Sequence, residues 1–543
     1  MIGSAFFKFI FHFSLFYFFY FLFSLNIFAQ DIVWKKSFGS YGNIYNSIIT
    51  VSDGVVAAGV GGCFNYGDWE GVAGKGGSDA IIVKYNFNGN VIWKKNFGGE
   101  AYDKYFSVTE VPDGIVAVGY SMSQSFNTGD WIGTTNKGNR DAIVVKYDRN
   151  GNVVWKRNFG GRHTNEFLSI SAVPEGVIAV GWSSEGSFDN GDWEGVMGKG
   201  NYDAIIVKYD HNGNLVWKKS FGGNSSDYFL SVTSHSDGII VVGYSSGGSF
   251  GNGDWEGING KGGSDAIIVK YDFNGNVVWK KNFGGNSSES FRAVIATSGG
   301  FVAVGTTWSH FFDNDDWEDF TAKGLCDALI VKFDFSGNVI WKNNFGGNGT
   351  DYYSSVTEVS DGFVAVGGGL NFNTGDWEGI EGYGDIDAII VKYDKEGNVI
   401  WKKNFGGRSI DTYESVTTTF NSVVAVGYSY CDSFGSGDWE DIDCRGQAMD
   451  AIIVKYANGE VGIAERELFE IRVYPNPTNG ELRIENGEWR MERVEVFDIY
   501  GRKVLEPPLT VLRSYDLTVL PAGIYFLKIA TDKGVVVKKV VKQ

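Results

Sequence analysis

An internal repeat constrains this chain more than any other feature. The stretch DAIIVKYDFNGNVVWKKNFGG, Asp265 to Gly285, recurs along most of its length. Its Asp-Ala start stands at Asp79, Asp141, Asp203, Asp265, Asp327, Asp387 and Asp450. Its tryptophan stands at Trp34, Trp93, Trp155, Trp217, Trp279, Trp341 and Trp401, at intervals of 59, 62, 62, 62, 62 and 60 residues. A period this regular marks stacked copies of one supersecondary unit. Each copy reads as four strands, in the fourth copy Tyr228 to Thr233, Gly238 to Ser245, Asp265 to Asp272 and Val277 to Phe283. Asn274-Gly275-Asn276 closes the last hairpin, since Asn and Gly tolerate left-handed φ. The runs IIVV and AIIV are nearly continuous, as in strands covered on both faces.

A propeller blade, sandwiched between two others, meets that requirement. A linear β-solenoid is the competing architecture, but its repeats are usually shorter than about 30 residues. The ends of the repeat region set the blade count. The chain opens on a fourth strand without its first three (DIVWKKSFG, Asp31 to Gly39) and closes on a third strand without its fourth (DAIIVKYANG, Asp450 to Gly459). The expectation is an all-β, seven-bladed β-propeller over residues 30–460, closed by the N-terminal strand. Closure of that kind leaves no edge open to aggregation.

Composition bounds the partners. A formal net charge of −18 without a basic patch argues against nucleic acid and is compatible with cation binding. The chain reads as a monomer. Cys63, Cys326, Cys431 and Cys444 form no C-x-x-C pair, so a zinc or thioredoxin-type site is not expected. Cys431 and Cys444 flank one insertion and suit a disulfide in an oxidising compartment; four free thiols are the alternative. Residues 1–29 hold one lysine, Lys8, then an aromatic-aliphatic run, with Ile27 and Ala29 at −3 and −1 of a signal-peptidase site before Gln30. This reads as an export signal, and the run is also long enough for a membrane anchor. Beyond residue 460 the repeat stops: 461–470 is a linker and 471–543 a small separate β-domain.

That last segment carries Tyr474-Pro475-Asn476-Pro477-Thr478-Asn479-Gly480, then Val496-Phe-Asp-Ile-Tyr-Gly501-Arg502, then Leu520-Pro521-Ala-Gly523-Ile-Tyr-Phe-Leu-Lys528, and ends on Lys538-Lys-Val-Val-Lys542. In these motifs it resembles the type A C-terminal sorting domain of the type IX secretion system of Bacteroidetes-type bacteria. The resemblance implies an immunoglobulin-like β-sandwich used as an export address. It also implies handling by the secretion machinery and its sortase, with release or attachment to surface lipopolysaccharide. The protein is therefore expected outside the cell or on the outer-membrane surface. The repeat itself resembles bacterial surface propeller repeats of unknown activity. Its hairpin Asp272 to Trp279 is similar to the tryptophan-docking motif of pyrroloquinoline-quinone propellers and, more loosely, to the sialidase Asp-box. Both resemblances imply structural roles for the VxWKK tryptophans.

Candidate chemistry sits in a Gly-Asp-Trp-Glu-Gly insertion between the second and third strands. Its pairs are Asp68 and Trp69, Asp130 and Trp131, Asp192 and Trp193, Asp254 and Trp255, Asp316 and Trp317, Asp376 and Trp377, and Asp438 and Trp439. Such loops should ring one face. An exposed Trp stacks on a sugar ring while Asp accepts its hydroxyls, so a glycan or protein ligand is expected there. Packing of the Trp under its own loop is the competing reading. Lys75, Lys137, Lys199, Lys261 and Lys323 follow at a fixed offset as partners for the acids. The fifth copy concentrates Asp313, Asp315, Asp316, Glu318 and Asp319, oxygen ligands suited to Ca2+, although the EF-hand order is incomplete. No catalytic motif of the G-x-S-x-G, H-E-x-x-H or Walker type is present. The expected function is a secreted binding or adhesion module. A polysaccharide lyase or hydrolase using loop carboxylates, or a structural surface protein, are the alternatives.

Overall fold

The computed structural model describes residues 32–308, 315–318, 320–420 and 422–457, and in the C-terminal region residues 471–474, 476–486, 491–498, 502–507, 514–531 and 534–543. The export segment 1–29, the linker 461–470, and Asp313, Asp319, Pro475 and Gly501 lie outside these. Two compact units result, Met1–Asn458 and Gly459–Gln543.

The first unit is built from repeated four-stranded antiparallel sheets. In the fourth copy the strands are Asp227–His235, Gly238–Ser246, Ser264–Tyr271 and Val277–Phe283, side by side in sequence order. At six junctions one parallel backbone pair links a sheet to the next, such as Ser264 with Ser288 and Ser78 with Tyr102. No sheet among the described residues closes on itself as a barrel. One sheet is assembled from both ends of the unit. Ile32–Phe38 pairs antiparallel with Met449–Ala457, which lies beside Ser422–Tyr430 and then Asp411–Thr419.

The apolar runs are continuous because sheets stack face to face. Val180, Ala204 and Ile206 of one sheet share a core with Phe229, Val241, Ile267 and Val269 of the next. Fully burying each such Val or Ile contributes about 1.5–3 kcal/mol. The seam between the first and last sheets is built the same way, from Val55, Ile81, Val424 and Ile453.

The first strands of the sheets are Ile44–Val51, Asp103–Val111, Asn165–Val173, Asp227–His235, Ser288–Thr297, Asp351–Val359 and Asp411–Thr419. Each lies beside the first strand of the next sheet, and Asp411–Thr419 lies beside Ile44–Val51. Ile48 N donates to Ser415 Oγ at 3.2 Å across that last junction. Every first strand carries a bulge at one place, as between Phe229 and Ser231. Close backbone approach explains the glycine opposite it: a Cβ on Gly243 would lie 1.9 Å from the Tyr228 carbonyl oxygen. The residues set out by the bulges are Asn46, Phe106, Leu168, Leu230, Arg292, Ser354 and Glu414.

Five of the seven VxWKK tryptophans fasten a sheet to its successor by the same bond. Trp93 Nε1 donates to the Arg149 carbonyl at 3.2 Å, and Trp155, Trp217 and Trp341 repeat the bond to His211, Phe273 and Lys395. Beneath Trp93 sits Gly151 at φ 79°, where a Cβ would come within 3.0 Å of the ring. Trp34 makes the same bond to Phe87, tying the sheet formed from both ends to the first copy.

In the second unit, Lys503–Leu505, Met491–Phe497, Gly523–Thr531 and Gly534–Lys542 form one sheet, and Ile471–Tyr474, Glu481–Asn486 and Ser514–Asp516 a second. Leu482, Ile484, Val494, Leu527 and Ile529 form their common core. Among the described residues no helix is long and apolar enough to cross a membrane.

Candidate functional site

Each Gly-Asp-Trp insertion folds into one turn of 3-10 helix, as at Gly253–Trp255. The seven indoles are 0–1% exposed, so none presents a ring face on which a sugar could stack. This departs from the exposed-tryptophan geometry that glycan binding requires. Apolar partners explain it: Phe221 meets Trp255 edge-on at 5.0 Å, and Phe250 packs at 5.0 Å on its other side. The ring nitrogen, which must find an acceptor when buried, donates to Ser245 Oγ at 2.9 Å and Asp227 Oδ1 at 3.1 Å. Trp377 and Trp439 donate likewise to Asp351 and Asp411, and Trp69 to Asn43.

The acids of the insertion reach backward across the sheet boundary. Asp254 Oδ2 accepts from the Gly222 amide at 2.9 Å and from Lys199 Nζ at 2.7 Å, both from the preceding copy. Asp130 meets Gly98 and Lys75 in this way, Asp192 meets Gly160 and Lys137, and Asp376 meets Gly346 and Lys323. The fixed-offset lysines therefore pair with the acid of the next copy, 53 to 55 residues on, and not with their own. Asp438 meets the Gly406 amide, and Asp68 the Gly39 amide, with Arg445 Nε at 3.9 Å in the lysine's place. From below, the first lysine of WKK caps the turn: Lys280 donates to the Asp254 carbonyl and Lys35 to that of Asp438.

Of the acids proposed for Ca2+, Asp316 is held by the Gly284 amide and Lys261. Asp315, Asp316 and Glu318 are not brought together with other ligands in any metal-sized cluster of described residues. Cys431 and Cys444 form a disulfide, while Cys63 and Cys326 are free.

Two further series of polar side chains, mostly carboxylates, lie beneath the loops. The Asp-Ala acids are fully buried: Asp141 accepts from the Lys137 and Gly138 amides at 2.8 and 3.0 Å and from Asn158 at 2.7 Å. Burial outweighs those donors and pushes its carboxyl up to about 6. The second series, at the head of each first strand, is Asn43, Asp103, Asn165, Asp227, Glu289, Asp351 and Asp411. Burial raises Asp351 to about 7 and Glu289 to about 8. No motif singles these out in the sequence. Their signal is one of two intervals to the buried tryptophan, 26 residues from Asn43 and Asp351 and 28 from Asp103, Asn165, Asp227 and Asp411.

Several of the described sorting-motif residues make fixed contacts in the second unit. Asn476 donates through Nδ2 to the Lys539 carbonyl at 2.7 Å and accepts at Oδ1 from the Val541 amide at 2.9 Å. Gly480 bonds through its amide to Thr478 Oγ1, and its φ of 130° leaves no room for a side chain against Thr518. Pro521 accepts from the Tyr525 hydroxyl at 2.9 Å, and Lys538 and Lys542 stand opposite Leu527 and Gly523. Pro477 follows Asn476 through a cis peptide bond.

Comparison with known proteins fits this division. Residues 472–543 match the secretion system C-terminal sorting domain, and they follow a β-propeller-like body. The domain indicates sorting by type IX secretion to the cell surface or extracellular space, and contact with that machinery. A regulatory protein FlaEY of Caulobacter vibrioides is 24% identical over 177 residues, 31% of this chain and 18% of that protein. An uncharacterized protein of Aquifex aeolicus is 30% identical over 124 residues, 23% of this chain and 32% of its own length. The chain thus spans 18% and 32% of these two relatives. Among solved structures, BamB from Moraxella catarrhalis is similar at a TM-score of 0.37 and 13% identity, over 79% of this chain and 100% of that one. The WD40 β-propeller domain of Doa1 is similar at 0.39 and 12%, over 80% and 98%. At these TM-scores neither likeness bears on function, and the fold rests on the sheets themselves.

Proposed function

We propose that the body is a closed seven-bladed β-propeller that serves, once exported, as a binding or adhesion module for a glycan or protein outside the cell. Closure is supported by the cyclic order of first strands and by the pairing of Ile32–Phe38 with Met449–Ala457. One observation carries the choice of binding over catalysis. The repeated loop acids are engaged with amides and lysines of the framework, so they act as joints between blades and not as a carboxylate pair flanking a scissile bond. Secreted full-length protein incubated with a polysaccharide panel, with and without Ca2+, tests this. Retention without new reducing or unsaturated ends is expected. Product formation would make the protein a polysaccharide-active enzyme, and failure to be retained by any polysaccharide or by cells would point to a structural coat.

A further inference from the structure

The repeat holds its framework nearly constant, which makes the positions that vary conspicuous. The bulge is one of them. Its neighbours stay aromatic on one side and small on the other, as in Tyr105 and Ser107 or Tyr413 and Ser415, while the bulge residue itself runs from Phe106 to Arg292 to Glu414. A bulge re-aims a side chain out of the sheet pattern. Two of these re-aimed residues, Arg292 and Glu414, carry charge, and so does Lys104, two residues before the bulge at Phe106. Glu414 stands two first strands from Arg292 in one direction and two from Lys104 in the other. Yet the charges of both act on its carboxyl, which burial raises and they lower. The first strands lie side by side in cyclic order, so residues at or beside the bulge of each strand stand around one centre. Arg292 lies 5.0 Å over the Tyr352 ring, whose hydroxyl is 3.0 Å from Thr412, and Lys104 lies 4.5 Å over Phe106. Among the described residues Lys104, Arg292 and Glu414 have no ion-pair partner within 4.0 Å, unlike the framework lysines. Glu166, the other acid of this tier, is already held by Arg140. Two cations against one acid leave a local positive charge in a chain of net −18. Aromatic rings stand at the same level: Trp182 from a second strand, and Tyr228 of a first strand stacked at 4.8 Å on Tyr244 of the second strand beside it.

We propose that the axial mouth of the ring, walled by these varying residues, binds a carboxylate-bearing saccharide. The sugar face packs on the aromatic side while Arg292 and Lys104 take the carboxylate in charge-assisted hydrogen bonds. This rests on the binding-module reading and gives it a place and a ligand class. The test is calorimetric titration of the secreted protein with oligogalacturonate, oligomannuronate and a hyaluronan oligosaccharide, each beside its methyl ester. At least one acid form should bind, with its ester weaker by tenfold or more. Arg292→Gln and Lys104→Met should each weaken the acid form by tenfold or more at an unchanged urea midpoint. Equal binding of acid and ester, no binding of any acid form, or full affinity in folded Arg292→Gln would each overturn it. Should Arg292→Gln keep its retention on the wider polysaccharide panel, the axial site falls and the module reading stands. If the wild-type protein is retained by nothing, the module reading falls as well.

Discussion

Trp255→Ala separates a ligand-contacting tryptophan ring from a structural one. Trp255 is fully buried between Phe221 and Phe250, and truncating such an indole costs about 3–5 kcal/mol. Its N–H also serves Asp227, and a buried acceptor robbed of its donor adds about 1–3 kcal/mol. The sum, about 4–8 kcal/mol, is comparable with the whole stability of a typical domain, about 5–15 kcal/mol. Trp255→Phe keeps most of the ring packing and should lose mainly the hydrogen bond, about 1–3 kcal/mol. Urea titration of the secreted protein followed by far-UV circular dichroism reads both variants. The polysaccharide pull-down is then run on whichever variant remains folded. The reasoning is refuted if Trp255→Ala unfolds within about 0.5 kcal/mol of the wild type, above all if that stable variant has lost its ligand.

Three other outcomes follow from the same structure. Deleting Ile32–Phe38 bares one edge of Met449–Ala457 and removes the Trp34 dock and the Lys35 cap, so aggregation is expected on size-exclusion chromatography; a monodisperse, folded product would count against closure by that strand. Asp351 and Glu289, raised by burial to about 7 and about 8, titrate near 4 when unfolded, so the stability they contribute is fully present below about pH 4 and is lost as pH rises through 7 to 8. The melting midpoint should therefore fall between pH 5 and pH 8, and Asp351→Asn with Glu289→Gln should flatten the slope; an unchanged slope in the double variant refutes the assignment. Cys431→Ser opens a disulfide spanning 13 residues and should cost up to about 3 kcal/mol, seen as a lower urea midpoint that reducing agent reproduces in the wild type but not in the variant.

Much of the strand plan was legible in the sequence, because alternation, continuous apolar runs and Asn-Gly turns are local signals. Val277–Phe283 emerges with the expected bounds, and Tyr228 to Thr233 lengthens only to Asp227–His235. The roles of the insertion residues were not legible. Lys199 stands near Asp192 and Asp203 in sequence, yet its side-chain partner is Asp254, because stacking brings the end of one copy against the loop of the next. A carboxylate beside a tryptophan looks the same whether the ring faces solvent or lies beneath its own turn. Only the packing of Phe221 and Phe250 distinguishes the two. The bulge residues were hidden for the opposite reason: a search for repetition passes over positions that do not repeat.

The pairing of Ile32–Phe38 with Met449–Ala457 also bears on quality control. Synthesis releases the earlier strand first, and it waits without its partner until nearly the whole body has been made. The sorting domain begins at residue 472, shortly after that partner. A polypeptide cut short anywhere within the repeats therefore lacks both Met449–Ala457, the partner of its first strand, and the sorting domain. In an unbroken chain the sorting domain is therefore made only after both strands of the pair.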